Sequence, residues 1–269
     1  MKHIINLLPK LQGLRYILVE NVKGFETSNA RKQLIESLHM LSFKTKEFLI
    51  SPTQLGVPNS RLRYYLIAKK VISPRPVVNY SEGQHPTVDI ITDLSQTSEI
   101  SPTVVKQFLQ TESCTLEKYL SSCHAKDESL LLSDQVLGKY GEIVDIVKPS
   151  STNSCCFTKS YGRYAEGTGS VIQQDGNLDL VFKRAQKYEK KSENYVKILQ
   201  ELKLRYMDPY EVADILGFPI RNSNENKETK RTSFEFPPEY LQHRLHCYRV
   251  LGNSLNVTVV SFLSCILFA

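Results

Sequence analysis

Five residues of this 269-residue chain have types and placings suited to chemistry: Glu20, Arg61, Arg63, Asn253 and Ser254. Glu20 follows the apolar run Tyr16-Ile17-Leu18-Val19, which reads as the end of a buried strand. Open α/β sheets bind ligands beyond the carboxyl ends of their strands, so a carboxylate there can meet a polar ligand. The plainer reading is a helix cap or a surface acid. Asn21 adds a donor and an acceptor beside it. Arg61 and Arg63 stand two apart in an extended segment, which would turn both guanidiniums to one side. A shielded arginine needs an anionic or strongly polar partner, either a ligand or an internal carboxylate such as Glu20 or Glu47. Gly252-Asn253-Ser254 joins an apolar segment ending at Leu251 to an expected helix. Backbone donors at a helix start suit a carboxylate or phosphate, and an ordinary cap is the alternative. His243, His246 and Cys247, with Cys123-His124, fit no zinc spacing, and no Cys-x-x-Cys occurs, so no metal is expected.

These residues need a scaffold to position them. Leu11 to Val19 is expected as a strand buried on both faces. Asn29 to Met40 places Leu34, Ile35, Leu38 and, just beyond, Leu41 along one helical stripe. Glu47 to Ile50 and Tyr64 to Ala68 supply two further strands, with a loop between them punctuated by Pro52, Gly56 and Pro58. After Lys70 the character changes. Pro74, Pro76, Pro86 and Pro102 interrupt a Ser/Thr-rich stretch without a clean period, which marks a domain boundary. Short helical pieces and a strand within Gly141 to Val147 are expected over 104 to 150.

Residues 182 to 206 read as helix, with Lys183, Arg184, Lys187, Lys190, Lys191, Lys197, Lys203 and Arg205 against Glu189, Glu193 and Glu201. Such a run is either a solvated face or a surface for phosphates. Asp208, Pro209 and Glu211 open a further helix as cap, first turn and capping-box partner, and Gly217 stops it. Residues 221 to 233 are polar throughout and read as an exposed, mobile insertion.

The net charge of +6, from 34 Lys+Arg and 28 Asp+Glu, inclines the chain toward a polyanionic partner. Six scattered cysteines, with Cys155 and Cys156 adjacent, fit a reduced intracellular setting better than a secreted disulfide framework. The N-terminus lacks the apolar core of a signal peptide. The apolar tail from Leu255 is shorter than the roughly 20 residues that span a bilayer. It is expected as a buried helix, with no membrane partner.

Alone, each motif is ambiguous; as an ordered set they are not. The passages Leu18–Phe25, Ser51–Tyr64, Cys156-Phe157-Thr158-Lys159, Leu216–Pro219 and Leu251–Val257 resemble the tRNA-modifying branch of the cytosine-5 methyltransferases. The resemblance covers nearly the whole chain. It implies an α/β fold: a partial Rossmann-like class I methyltransferase sheet lacking its first strands, plus an irregular target-recognition region. Residues 1–70 would be the second half of the catalytic sheet, 71–190 the target-recognition region, and 191–269 the helices returning to the catalytic domain.

The implied reaction is methyl transfer from S-adenosylmethionine to carbon 5 of a cytosine in the anticodon loop of aspartate tRNA. DNA would be a weaker partner, and the setting cytoplasmic and nuclear. In the family a cysteine thiolate adds to carbon 6 of an everted base, carbon 5 takes the methyl, and a base removes the carbon-5 proton. By resemblance Glu20 holds the cytosine at ring nitrogen 3 and its amino group. Arg63 meets the carbonyl, and Arg61 frames the pocket. Asn253 and Ser254 close over the cofactor, while Asn21, Cys156, Phe157, Thr158 and Lys159 face the tRNA.

The chain departs from the pattern in several places. No Pro-Cys-Gln stands upstream of Glu20, and none of the six cysteines follows a proline. The glycine-rich cofactor loop and the acidic residue for ribose are missing from this sequence, and Asn59 stands where the wider family often has Gln. The chain is therefore expected to be catalytically incomplete alone. The alternative is a non-catalytic fragment that binds tRNA or a partner. The strand ending at Val19 is expected to be an open sheet edge, prone to aggregation.

Overall fold

The computed structural model describes residues 1–71, 89–94, 108, 114–121, 126–220 and 233–268. Cys123-His124 and most of the polar insertion, 221–232, lie outside the described residues. The chain divides into two compact units. One comprises Met1–Gln54, Leu62–Leu109 and Val259–Ala269, the other Leu55–Arg61 and Gln110–Thr258.

The first unit opens with helix α1 (Lys2–Leu7), then strand β1 (Tyr16–Val22), helix α2 (Asn29–Met40), strand β2 (Phe43–Ile50) and strand β3 (Arg63–Lys70). The strands form an antiparallel sheet in the order β1-β3-β2. Helix α2 forms where its apolar stripe predicts. Ser28 caps it by accepting the Arg31 N–H at 3.1 Å, and Leu34, Ile35 and Leu38 are buried against the sheet core of Phe43, Tyr64, Leu66 and Ala68. β3, flanked on both sides, is the continuously buried strand from Tyr64 to Ala68.

β1 differs from expectation. It starts at Tyr16 rather than Leu11 and runs through Glu20 to Val22, so Glu20 lies inside the strand. It is not buried on both faces: Tyr16 and Val22 are exposed and the residues between are half-buried. The reason is position, since β1 pairs with β3 alone among the described residues and forms a sheet edge.

A buried polar cluster ties α2 to the sheet. Arg31 donates to both carboxylate oxygens of Glu47 at 2.7 and 2.6 Å, and the Tyr64 hydroxyl donates to Glu47 at 2.6 Å. Burial and this carboxylate push the Tyr64 phenol upward, while the hydrogen bond to Glu47 raises the Arg31 guanidinium.

The second unit contains helix α3 (Asp134–Tyr140), strands β4 (Asp145–Val147) and β5 (Ser170–Ile172) paired in parallel, and helices α4 (Leu178–Ala185), α5 (Glu193–Gln200), α6 (Pro209–Ile215), α7 (Pro238–Leu241) and α8 (Arg244–Gly252). The expected single helix over 182–206 is instead two. α4 and α5 are separated by a turn in which Lys191 takes φ +70°, and the chain after α5 bridges to β5 at Arg205. α6 begins with the capping box read from sequence: Asp208 accepts the Tyr210 N–H at 2.8 Å, and Glu211 accepts the Asp208 N–H at 2.9 Å. Gly217, at φ +82°, follows this helix, and a Cβ there would meet the Thr258 hydroxyl and backbone.

Helix α9 (Val257–Phe268) follows α8. Val259, Phe262, Leu263 and Leu267 are buried, and Phe268 stacks edge-on to Tyr16 at 5.0 Å. The stretch Arg244–Phe268 is long and apolar enough, by length and composition, to cross a membrane, but the fold breaks it into two helices between Gly252 and Val257.

Candidate active site

Glu20 and Arg63 come together in the first unit. The register pairs Val22 with Arg63 and Glu20 with Tyr65, so Glu20 and Arg63 are diagonal neighbours on one face of the β1–β3 ladder. The Arg63 Nε lies 3.4 Å from a Glu20 carboxylate oxygen, and the side chains keep 19% and 27% of their exposure. The pair is therefore reachable from solvent. Asn21 points to the other face, where its side-chain oxygen accepts the Val22 N–H at 2.9 Å. Glu47 is not the partner of either arginine, because Arg31 and Tyr64 occupy it.

Arg61 is held differently from Arg63. Arg61 belongs to the second unit and is 3% exposed. Its guanidinium donates to the carbonyls of Phe157 (3.2 Å), Gly252 (3.4 Å) and Ser254, and approaches the Cys156 Sγ at 3.5 Å. A planar fork of donors suits several carbonyls at once. Asn59, two residues earlier, adds to the junction by donating to the Ser154 hydroxyl at 3.1 Å and the Cys155 carbonyl at 2.9 Å. Arg61 and Asn59 thus fasten Ser154–Phe157 and Gly252–Ser254 to the Leu55–Arg61 segment.

Gly252 shows why that junction is close. A Cβ on it would run into the backbone of Thr158 and Lys159, so only glycine lets α8 touch the Cys156–Lys159 segment. The helix-start reading of Asn253 and Ser254 is corrected here. Both stand at the end of α8, where the Asn253 N–H bonds the Arg249 carbonyl at 3.3 Å and the Ser254 N–H bonds the Leu251 carbonyl at 3.0 Å. These donors are used internally and cannot cradle an anion. The Ser254 hydroxyl also donates to Leu251, at 2.6 Å, while the Asn253 side chain is exposed.

Within Cys156–Lys159, Lys159 is exposed, Cys156 and Thr158 are half-buried, and Phe157 is buried. Phe157 packs edge-on against Tyr161 at 5.0 Å. Tyr161 donates to the Ser170 carbonyl at 2.6 Å and accepts the Met207 N–H at 2.9 Å; Tyr248 donates to the Met207 carbonyl at 2.5 Å. Burial drives both phenols above their ordinary range. Phe157 therefore supports the segment, and Lys159 is its exposed cation.

The sequence reading overlooked the Tyr161–Tyr248 support, and Arg205 as well. Arg205 belongs to the run read as a solvated face or a surface for phosphates, but it is 2% exposed. It forms a two-pronged pair with Glu211 at 2.7 and 3.0 Å, which also accepts the Ser121 N–H at 2.9 Å. The capping role of Glu211, legible in sequence, was the one available sign that a carboxylate would be buried there.

Among the described residues no group of three or more His, Cys, Asp or Glu side chains could hold a metal. His243 and His246 stack at 5.3 Å, and the Cys247 thiol rests on the Tyr240 carbonyl at 3.4 Å.

Comparison with known proteins shows the family. The C-5 cytosine-specific DNA methylase family matches residues 3–265. The tRNA (cytosine(38)-C(5))-methyltransferases of Bos taurus and Homo sapiens are each 36% identical, over 96% and 99% of this chain and 72% and 74% of their own lengths. A Dictyostelium discoideum DNA (cytosine-5)-methyltransferase is 33% identical over 96% of this chain and 67% of its own. A solved Spodoptera frugiperda DNMT2 variant covers 100% of this chain and 71% of that one, with TM-score 0.76 and 34% identity. The Schizosaccharomyces pombe Dnmt2 structure covers 99% and 72%, with TM-score 0.69 and 30% identity. The expected α/β methyltransferase fold is the one these structures share, and this chain belongs to the cytosine-5 methyltransferase family of enzymes.

Proposed function

We propose that this chain receives an everted cytosine of tRNA for methyl transfer to carbon 5. The observation that carries the reading is the Glu20–Arg63 pair on one face of the sheet edge, in a chain of this family. A cytosine presents an amino donor, a ring-nitrogen acceptor and a carbonyl acceptor along one edge. A carboxyl group beside a guanidinium complements that edge. Glu20 accepts from the amino group and shares a proton with ring nitrogen 3, and Arg63 donates to the carbonyl oxygen. Arg61 acts through the backbone it fastens.

tRNA is favoured over DNA by the names of the relatives at 36% identity, with DNA as a weaker target. Lys159, next in sequence to Cys156–Thr158, and, in the other unit, Asn21 on β1 are the polar side chains offered to the tRNA. The anticodon loop of aspartate tRNA is the substrate implied by the resemblance.

S-adenosylmethionine supplies the methyl group in this chemistry. Of the two residues the resemblance assigns to it, Asn253 has an exposed amide able to reach a ligand, whereas the Ser254 hydroxyl is committed to Leu251.

The cysteines of this chain lack the sequence neighbours of the family nucleophile. None follows a proline, and burial pushes the Cys155 and Cys247 thiols up, away from thiolate. The 269-residue chain alone therefore binds without turning over. This also favours the second reading, a non-catalytic tRNA- or partner-binding fragment. Fluorescence anisotropy with tRNA, run beside labelled methyl transfer, tests both. The expected result is salt-dependent binding without methyl incorporation. Incorporation overturns the inactivity, and absence of binding overturns the substrate.

A further inference from the structure

An open groove of about 700 Å³ lies in the second unit, lined by α3 and α5 and by the turn before α5. Three lysines from separate places reach it: Lys139 near the end of α3, Lys191 in the turn, and Lys197 on α5. Its remaining lining includes Gln135, Gln200, Asp134 and Glu193.

Three observations set these lysines apart. First, the fold pairs their basic neighbours. Arg184 meets Glu201 at 2.7 Å, Lys190 meets Glu142 at 2.5 Å, and Lys203 meets Asp175 at 3.1 Å. Lys139, Lys191 and Lys197 are exposed and carry no ion pair among the described residues. Second, the two acids of the groove are partly committed. Asp134 accepts the Gln200 amide at 2.6 Å, and Glu193 sits in the first turn of α5, where a carboxylate meets the helix N-terminus. Third, Lys191 holds φ +70°, a conformation that side chains rarely adopt. Gly138 allows it, because a Cβ there would press the Lys191 Cα at 3.3 Å and Val196 at 3.2 Å. Strained backbone thus presents a lysine to the groove, and glycine on the facing helix makes room.

We infer that this groove binds the phosphodiester backbone of the RNA substrate, with Lys139, Lys191 and Lys197 as its phosphate contacts. Among the described residues no aromatic side chain lines it to stack a base, so the contact is to backbone charge and not to sequence. The inference rests on the tRNA reading above and adds a second contact region remote in sequence from Cys156–Lys159. Two other exposed lysines of this unit, Lys183 and Lys187 on and beyond α4, are absent from the groove lining and serve as the comparison.

The test is tRNA affinity of the full chain measured across a salt series. Binding by the unsubstituted chain is established first; without it the tRNA reading fails and the groove inference falls too. Given binding, the triple variant Lys139→Gln, Lys191→Gln, Lys197→Gln is compared with Lys183→Gln, Lys187→Gln, Lys203→Gln, which loses the same charge. Each phosphate contact contributes roughly 0.7 to 0.9 to the slope of log affinity against log salt. The groove variant should lose roughly 2 in slope and bind at least about tenfold more weakly near physiological salt. The comparison variant should keep its slope within roughly half a unit. Equal losses in both, or no loss in the groove variant, would overturn the groove while leaving the tRNA reading standing.

Discussion

Replacing Arg61 by methionine removes one side chain and disconnects three segments. Methionine fills the space of the aliphatic stem but donates nothing. The Phe157, Gly252 and Ser254 carbonyls then lose the guanidinium at once. A buried group left without its partner costs about 1–3 kcal/mol. Phe157 is fully buried, whereas Gly252 and Ser254 are half-buried and regain some hydration. The sum is therefore roughly 2–4 kcal/mol, well short of three full penalties.

Arg61→Lys keeps the charge and one cluster of donors but not the planar fork, and should lose about half as much. With no tryptophan in the chain, near-ultraviolet circular dichroism reports on the buried tyrosines, and far-ultraviolet dichroism on the helices. In urea, with a slope of about 1–3 kcal/mol/M, the Arg61→Met midpoint should fall by roughly 1–2 M. A midpoint shift equivalent to less than about 0.5 kcal/mol would refute the carbonyl clamp and leave Arg61 as a residue awaiting a ligand.

Gly252→Ala drives a methyl into the Thr158–Lys159 backbone and should destabilise by about 2–3 kcal/mol in the same melts. Gly13→Ala, with nothing within 4 Å, should stay within about 0.5 kcal/mol. Arg205→Met strands a buried carboxylate and should cost about 3–5 kcal/mol, while Arg205→Met with Glu211→Met recovers much of the loss; a double-mutant cycle measures the coupling. Burial pushes the Asp214 carboxyl up to about 6. The folded state then holds the proton more tightly than the unfolded state between about pH 4 and 6, so stability falls as pH rises through that window. Comparing melts at pH 5 and pH 7, Asp214→Asn should remove this dependence, worth roughly 1 kcal/mol once solvent screening is discounted.

Local signals survived into the structure wherever a segment's own chemistry decided its form. The stripe of Leu34, Ile35 and Leu38 yields α2, and Asp208 with Glu211 yields the start of α6. The Glu20–Arg63 meeting was open in sequence because the acid had two candidate arginines and the arginines two candidate acids. Antiparallel register resolved it.

The misreadings share a cause: a partner far along the chain. Arg61 finds its carbonyls 96, 191 and 193 residues away, which no periodicity reveals. Arg205 looked like one more solvated cation because its carboxylate had been accounted for as a helix cap. Gly252 looked like the start of a helix, yet it is the point where α8 is pressed against another backbone. β1 reads as buried on both faces from its apolar residues, yet its place at the sheet edge, expected from the strands missing in this sequence, leaves it half-buried.

Recognition of cytosine by Glu20 and Arg63 is the central claim. The direct measurement is the affinity of the full chain for two anticodon stem-loops that differ only in having cytosine or uridine at the target position, repeated with Glu20→Gln. The expected result is a preference for cytosine that disappears in Glu20→Gln, because an amide can turn either its acceptor or its donor toward the exocyclic group and so suits cytosine and uridine alike. Equal affinity of the unsubstituted chain for the two stem-loops, or an undiminished preference in Glu20→Gln, would contradict it.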